Sequence, residues 1–337
     1  MRRVFKYLPL IILALVIPFA YWVNKTEPRP ETIRDFAMDT YLEITIYHQP
    51  GEAVLEEILN DFKLLESIFN RYDENSVIYN VNKNAFEKPV SIPSIFENLL
   101  QESIKLSGYT EGYFNPAIGP LVDLWRPIIK GEEDSVLPDI DLIKKAISLS
   151  KTENIIINEP DGQVSFTILG VSLDFGAVVK GYAVDRAFGI LRNRGVDRAV
   201  INAGGTIGVY GSPPGRNYWR IGIQHPRKDG IIGVLNLPST TVVSTSGDYE
   251  RYNIIGGKRY HHLLNPFTGY PAEELVSVTI INKNGLFSDA VSTAVFAMGL
   301  EKGMEFLTQK SLSAIIITSD LQIHFTGEAE RLFQPEL

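Results

Sequence analysis

The sequence predicts an α+β fold in which largely antiparallel mixed sheets are flanked by helices. Three observations carry that expectation. Leu42, Ile44 and Ile46 alternate with Glu43 and Thr45 between Tyr41 and Tyr47, the period of a half-buried strand. Val54, Leu55, Ile58, Leu59, Phe62 and Leu65 form one apolar stripe at helical spacing. From Ala199 to Ser244 strand patterns succeed one another, and AGGTIG at Ala203 to Gly208 has neither GxGxxG spacing nor a helix after it, so a dinucleotide-binding unit fails on context.

Composition narrows the function. The 337 residues, 45% hydrophobic and 21% charged, can build a sizeable core. A formal net charge of -8 with no basic stripe argues against nucleic acid, and an anionic nucleotide bound by such a chain calls for a cation. The absence of cysteine removes thiol nucleophiles, zinc-thiolate sites, disulfides and a lipoprotein anchor. Arg2, Arg3 and Lys6 precede an apolar run from Tyr7 to Val23 that ends on Tyr21 and Trp22 with no small-x-small cleavage site. This pattern favours an uncleaved single-pass anchor over a removed signal peptide, with the basic flank cytoplasmic and the rest of the chain outside the cytoplasmic membrane. Residues 1–23 are thus expected as anchor, 24–35 with Pro28 and Pro30 as linker, and 36–337 as one domain.

Along that domain, Asn70 to Asn82 is expected as a loop with turn chemistry at Asp73 to Ser76, followed by a helix from Pro93 and Ser94 with Glu97 completing a capping box. In GYFNPAIGPLVDLWRP, Gly112 to Pro127, three prolines and two glycines predict a shaped loop. Its Leu121, Leu124 and Trp125 serve either a buried connection or a wall for a flat aromatic ligand. Leu137 to Leu149 reads as a helix, and Ile155 to Asn158, Val164 to Thr167 and Val171 to Leu173 as strands. Ala183, Ala187, Ile190 and Leu191 recur at helical spacing after LDFGAVVKGYAVD, Leu173 to Asp185. A helix start with Lys180 beside it suits a phosphate, although the same pattern also serves plain architecture. His261 and His262 lie on a strand from Arg259 to Leu264 and so face opposite ways, leaving at most one for a site. Val276 to Ile281 leads into a helix from Ser288, its expected N-cap, to Gly299. On it Asp289 and Thr293 are four apart and share a face, which suits either capping and packing or a hard oxygen-seeking cation such as magnesium.

Taken in order, Met38-Asp39-Thr40, GYFNPAIGPLVDLW, DFGAVVKGYAVD, NAGG, STSGDYERY, HLLNPFTG and SDAVSTA closely resemble the ApbE family, the FAD:protein FMN transferases. The resemblance covers the chain after the anchor. It implies two lobes around a flavin cleft, and an enzyme that binds FAD with Mg²⁺, breaks the pyrophosphate, releases AMP and joins FMN to a threonine of a target protein. By the same resemblance, metal ligands fall on Asp289, Thr293 and the carbonyls of Ser292 and Ala177. FAD contacts fall on Met38, Tyr72, Asn115, Pro116, Ala117, Asp174, Lys180 and the region of Leu264. His262 matches the histidine proposed as base toward the acceptor. The chain departs from the pattern at Asp39 for glycine, Asn115 for aspartate and Asn265 for aspartate in the HxxDP-like motif. The implied partner is a membrane-linked redox subunit with a short Ser/Thr-containing target motif. The alternatives are an FAD pyrophosphatase with water as acceptor and a non-catalytic flavin-binding protein.

Overall fold

A computed structural model describes residue 16 and residues 29–48, 51–133, 135–158 and 161–336. The expected anchor falls almost entirely outside the described residues, among which no helix is long and apolar enough to cross a membrane. The centre of the fold is an eight-stranded sheet, every pairing antiparallel, in the order β1-β2-β6-β7-β10-β13-β14-β15. Its strands are β1 (Glu31–Ala37), β2 (Thr40–Ile46), β6 (Ala199–Ala203), β7 (Thr206–Tyr210), β10 (Thr241–Gly247), β13 (Leu275–Asn282), β14 (Ser313–Thr318) and β15 (Ile323–Thr326). The first strand takes residues 31–35 out of the stretch expected as linker. Met38 and Asp39, with φ of 54° and 59°, form the two-residue turn between β1 and β2, a backbone that matches the right-handed strand twist.

One face of this sheet carries helices, and the other, in part, a smaller sheet. The helices of the described residues are α1 (Glu52–Phe69), α2 (Val77–Asn84), α3 (Ser94–Tyr109), α4 (Gly119–Lys130), α5 (Ile140–Leu149), α6 (Val179–Asn193), α7 (Gly285–Met298), α8 (Leu300–Gln309) and α9 (Ala329–Leu332), of which α9 packs with the smaller sheet and α4 and α5 form a cluster of their own. Val278, Ile280, Ala314 and Ile316 pack with Val291, Val295 and Phe296 of α7, whereas Val276, Ile281, Ile315 and Ile317 pack with the small sheet. That sheet consists of β8 (Trp219–Gln224), β9 (Ile231–Leu237) and β16 (Phe333–Pro335). Strands buried on both faces need apolar residues at every position, which is why β13 and β14 read as β-branched runs rather than alternations.

Two further pieces flank the site. The hairpin β11 (Tyr252–Ile255) and β12 (Lys258–His261) turns at Gly256-Gly257, both at positive φ, and packs through Tyr260 on Trp125 of α4. The small sheet of β3 (Val90–Ser91), β4 (Ile155–Asn158) and β5 (Gln163–Phe166) borders the α1–α3 core.

Several local expectations change. The Asn70 to Asn82 loop keeps its turn but gives way to α2, because the Ser76 hydroxyl accepts from Tyr79 N–H and caps it. The Gly112 to Pro127 loop becomes α4 from Gly119, a start that tolerates Pro120 in the first turn. No strand forms at Val171 to Leu173, whose backbone is held instead by the Asn82 side chain through Leu173 N–H and carbonyl. The cap of α7 is Asn284, not Ser288, and α3 has no capping box. The strand expected from Arg259 to Leu264 ends at His261.

Candidate active site

The site is built where α6 and α7 cross. Gly181 and Gly285 touch backbone to backbone: a Cβ on Gly181 would lie 2.1 Å from the Gly285 carbonyl oxygen, so no larger residue fits. This closeness puts the Asp289 side chain within reach of α6. Asp289 Oδ2 accepts from Gly181 N–H at 2.6 Å, and Oδ1 accepts from Thr206 Oγ1 at 2.7 Å and from the Ser244 hydroxyl. Asp289 is 4% exposed, and these three donors offset the cost of burying its charge. Gly181 N–H belongs to the first turn of α6, where an amide has no partner within the helix, and Asp289 satisfies it; Ala177 lies two residues before that helix.

Next to the carboxylate, Ser246 Oγ lies 2.9 Å from Ser292 Oγ and 3.2 Å from Thr293 Oγ1, and Ser292 donates to the Asp289 carbonyl. Ser244 and Ser246 were not anticipated, yet their spacing of two residues on a strand already places them on one face. Among the described residues no group of three or more His, Cys, Asp or Glu could hold a metal. The donor set is instead one carboxylate, several hydroxyls and a carbonyl, all oxygen, with about one lone-pair site of Asp289 still open. Such a set fits a hard cation that keeps part of its water shell.

Asp185, one turn after Gly181, accepts from Gly285 N–H at 2.6 Å and Leu286 N–H at 2.9 Å and so pins the start of α7 to α6. Burial pushes its carboxyl up to about 6, with the nearby Asp289 charge adding to the rise against the two amide bonds.

His261 and His262 divide as their alternation requires. The buried His261 ring is used structurally, with Nε2 2.7 Å from the Ala272 carbonyl and an edge on Phe296. The His262 ring keeps partial access to solvent, and its Nδ1 lies 3.3 Å from the Arg251 carbonyl. A carbonyl only accepts, so Nδ1 carries the proton and Nε2 presents a lone pair. Burial first, then the charges of Arg251, His261 and Lys180, push the imidazole down to about 3, so it is neutral at physiological pH. Lys180, whose charge acts on His262, directly precedes the residue whose amide binds Asp289.

A second group lies on the other side of the α6 start. Asp174 Oδ2 accepts from Arg71 Nη1 at 3.0 Å, its Oδ1 accepts from Gly176 N–H, and its own N–H donates to the Pro116 carbonyl at 2.9 Å. Arg71 also donates to Asp123 at 2.8 Å; burial opposes its charge, but Asp174 and Asp123 outweigh burial and hold it protonated. The Asn115 side chain accepts from Ala117 N–H in its own loop and donates to the Ser150 carbonyl at the end of α5, and Ala117 is fully buried. Tyr72 is 51% exposed, its ring covered on one face by the Arg126 guanidinium at 4.3 Å. Leu264 is buried among Trp125, Leu121 and Tyr260, and Trp125 gives its indole N–H to the Gly269 carbonyl. The Leu121 and Trp125 side chains therefore form a buried connection, not a ligand wall. Met38 sits partly buried at the β1–β2 turn, whose Asp39 pairs with Arg251 at 2.9 Å. Arg71, Asp185 and Arg251 carried no periodic signal.

The ApbE family profile matches residues 38–316. The chain belongs to the ApbE family. It is 34% identical over 288 residues, 84% of this chain and 88% of the relative, to an FAD:protein FMN transferase of Klebsiella pneumoniae. Another, from Treponema pallidum, is 29% identical over 80% of this chain and 78% of the relative. The ApbE protein of Thermotoga maritima superposes with a TM-score of 0.83 at 33% identity, covering 91% of this chain and all of that one. The flavin transferase ApbE of Vibrio cholerae, at 24% identity and a TM-score of 0.79 over 90% of this chain and 99% of that one, shares the fold.

Proposed function

We propose that this ApbE-family chain transfers FMN from FAD to a hydroxyl side chain of a target protein and releases AMP. The observation that supports this reading most is the buried, pre-oriented carboxylate of Asp289, bound by Gly181 N–H, together with a neutral histidine, His262, that feels the charge of Lys180, the residue before Gly181. FAD is a substrate. The threonine oxygen forms a bond to the FMN phosphorus as the pyrophosphate P–O bond breaks, AMP leaves with the bridging oxygen, and the threonine proton passes to His262 Nε2. The Arg251 carbonyl holds that ring in the required tautomer. Magnesium, held by Asp289, Thr293 and the carbonyls of Ser292 and Ala177, would offset the pyrophosphate charge. Arg71 fixes Asp174 and the Pro116 segment as one wall of the FAD site, with Tyr72, Lys180, Met38 and the backbone near Leu264 completing it.

The test uses the purified chain with FAD, magnesium and a candidate acceptor. Flavin fluorescence that stays with the denatured acceptor, with AMP released in equal amount, is the expected result. Free FMN and AMP without labelled acceptor would make the chain an FAD pyrophosphatase, and no AMP at all a flavin-binding protein. The basic flank and apolar run before residue 24 support an anchored domain on the outer face of the cytoplasmic membrane, acting on membrane-linked redox subunits. Protease added outside intact spheroplasts should then digest the domain.

A further inference from the structure

His262 stands at the open end of one hairpin, and the tip of another reaches the Arg251 that faces it. Tyr252 pairs with His261, so Arg251 and His262 face each other just beyond the ladder, where the Arg251 carbonyl accepts from His262 N–H at 3.2 Å as well as from its ring. The β1–β2 tip reaches Arg251, with Asp39 Oδ2 2.9 Å from Arg251 Nη2. That tip is tightly defined. Both of its residues are left-handed, and Thr40 occupies the space over Gly204, where a Cβ would lie 1.7 Å from Thr40 Oγ1. Gly204 opens the turn into Thr206, whose hydroxyl holds Asp289.

A chain of contacts therefore runs from the carboxylate through Thr206, Gly204 and Thr40 to Asp39, Arg251 and His262. Its Asp39–Arg251 step is a single ion pair between side chains 76% and 52% exposed. Such a pair adds little to global stability, so its position rather than its energy is what matters. We propose that the Asp39–Arg251 ion pair registers His262 against the Asp289 centre, making Asp39 and Arg251 positioning residues for FMN transfer. This rests on the reading of His262 as the proton acceptor. Arg251 holds the imidazole and Asp39 lies behind it, while the charge of Lys180 and that of a protonated His261 on the other face of the strand also act on the ring.

A double-mutant cycle on the full chain tests it. Asn tolerates the left-handed backbone at position 39, so Asp39→Asn removes charge without strain. Asp39→Asn and Arg251→Gln should each slow transfer about two- to five-fold with FAD affinity unchanged, the range of an exposed pair. The double variant should be no slower than the slower single one. Losses that multiply would overturn the proposal. A ¹⁵N titration of the His262 ring adds a readout that general loosening would not move: Arg251→Gln should raise the pH at which it protonates, and Asp39→Asn should not. An unmoved titration in Arg251→Gln would equally sink the idea. His262→Asn keeps the two readings apart, because full transfer by that variant defeats the proton-acceptor role, whereas an inactive His262→Asn beside a multiplicative cycle defeats only the registration.

Discussion

The Asp289 end of the site and the His262 end are built on opposite principles. Asp289 is buried at a glycine-to-glycine helix crossing and takes three hydrogen bonds from three different elements, α6, β7 and β10. His262 lies beyond the end of a two-stranded hairpin, and one carbonyl on the facing strand holds its ring. The first end is over-determined and the second lightly held. Under the proposed function, Asp289 keeps one geometry while charge builds around it, which preorganisation serves, and His262 meets a second macromolecule, which requires access. The contrast teaches that stability and chemistry are entangled at Asp289 and separable at His262.

The largest effect tests the entangled end. Asp289→Ala strands the Gly181 amide and the Thr206 and Ser244 hydroxyls in a buried site, so transfer should fall about a thousandfold or more, and stability by roughly 1–3 kcal/mol per orphaned donor before relaxation. Asp289→Asn keeps the volume and separates the two losses: activity should stay low while the melting temperature largely recovers. Full activity in either variant would break the comparison. At the other end, His262→Asn should lower transfer about a hundredfold, within the usual range for a general base, with thermal stability and FAD affinity close to the parent. A matching loss of FAD affinity would move His262 into the binding wall.

The sequence was legible where one residue type had one use. The β2 alternation, the α1 stripe and the adjacent histidines each map onto their observed places, because burial on one face leaves a period that can be counted. Trp125 was ambiguous, since an indole in a Pro- and Gly-rich stretch packs a core or a ligand with equal ease; its N–H bond to Gly269, 144 residues away, decides the matter. The strand expected at Val171 to Leu173 failed because Asn82, far along the chain, supplies the backbone bonds that a ladder would have given. The carboxylate of Asp289 was visible, but the donors that orient it come from Gly181, Thr206 and Ser244, and only the fold brings these together.

The helix crossing offers an intermediate test. Gly181→Ala places a Cβ against the Gly285 carbonyl, and neither backbone can yield cheaply. Overpacking of this kind costs roughly 1–3 kcal/mol. Because the crossing aims Gly181 N–H at Asp289, activity should fall together with the melting temperature. Gly189→Ala, on the same helix with nothing near its Cβ position, is the control and should leave both unchanged or slightly improved.

The smallest effect on transfer is expected at Asp185, where the same crossing carries a pH dependence of stability. Asp185 has a folded pKa raised from 3.8 to about 6 by burial, so the native chain binds this proton more tightly than the unfolded one. Its ionised form therefore opposes folding: the cost is absent below about pH 4, grows as pH rises toward 6 and is complete above that. A shift of this size corresponds to something on the order of 3 kcal/mol. Other carboxylates titrate in the same window, so the informative quantity is the difference between the parent and Asp185→Asn, measured by denaturant unfolding from pH 4 to pH 7. The parent should lose stability relative to the variant as pH rises through this range. A pH-independent difference would mean that the amides of Gly285 and Leu286 fully offset the burial of the charge.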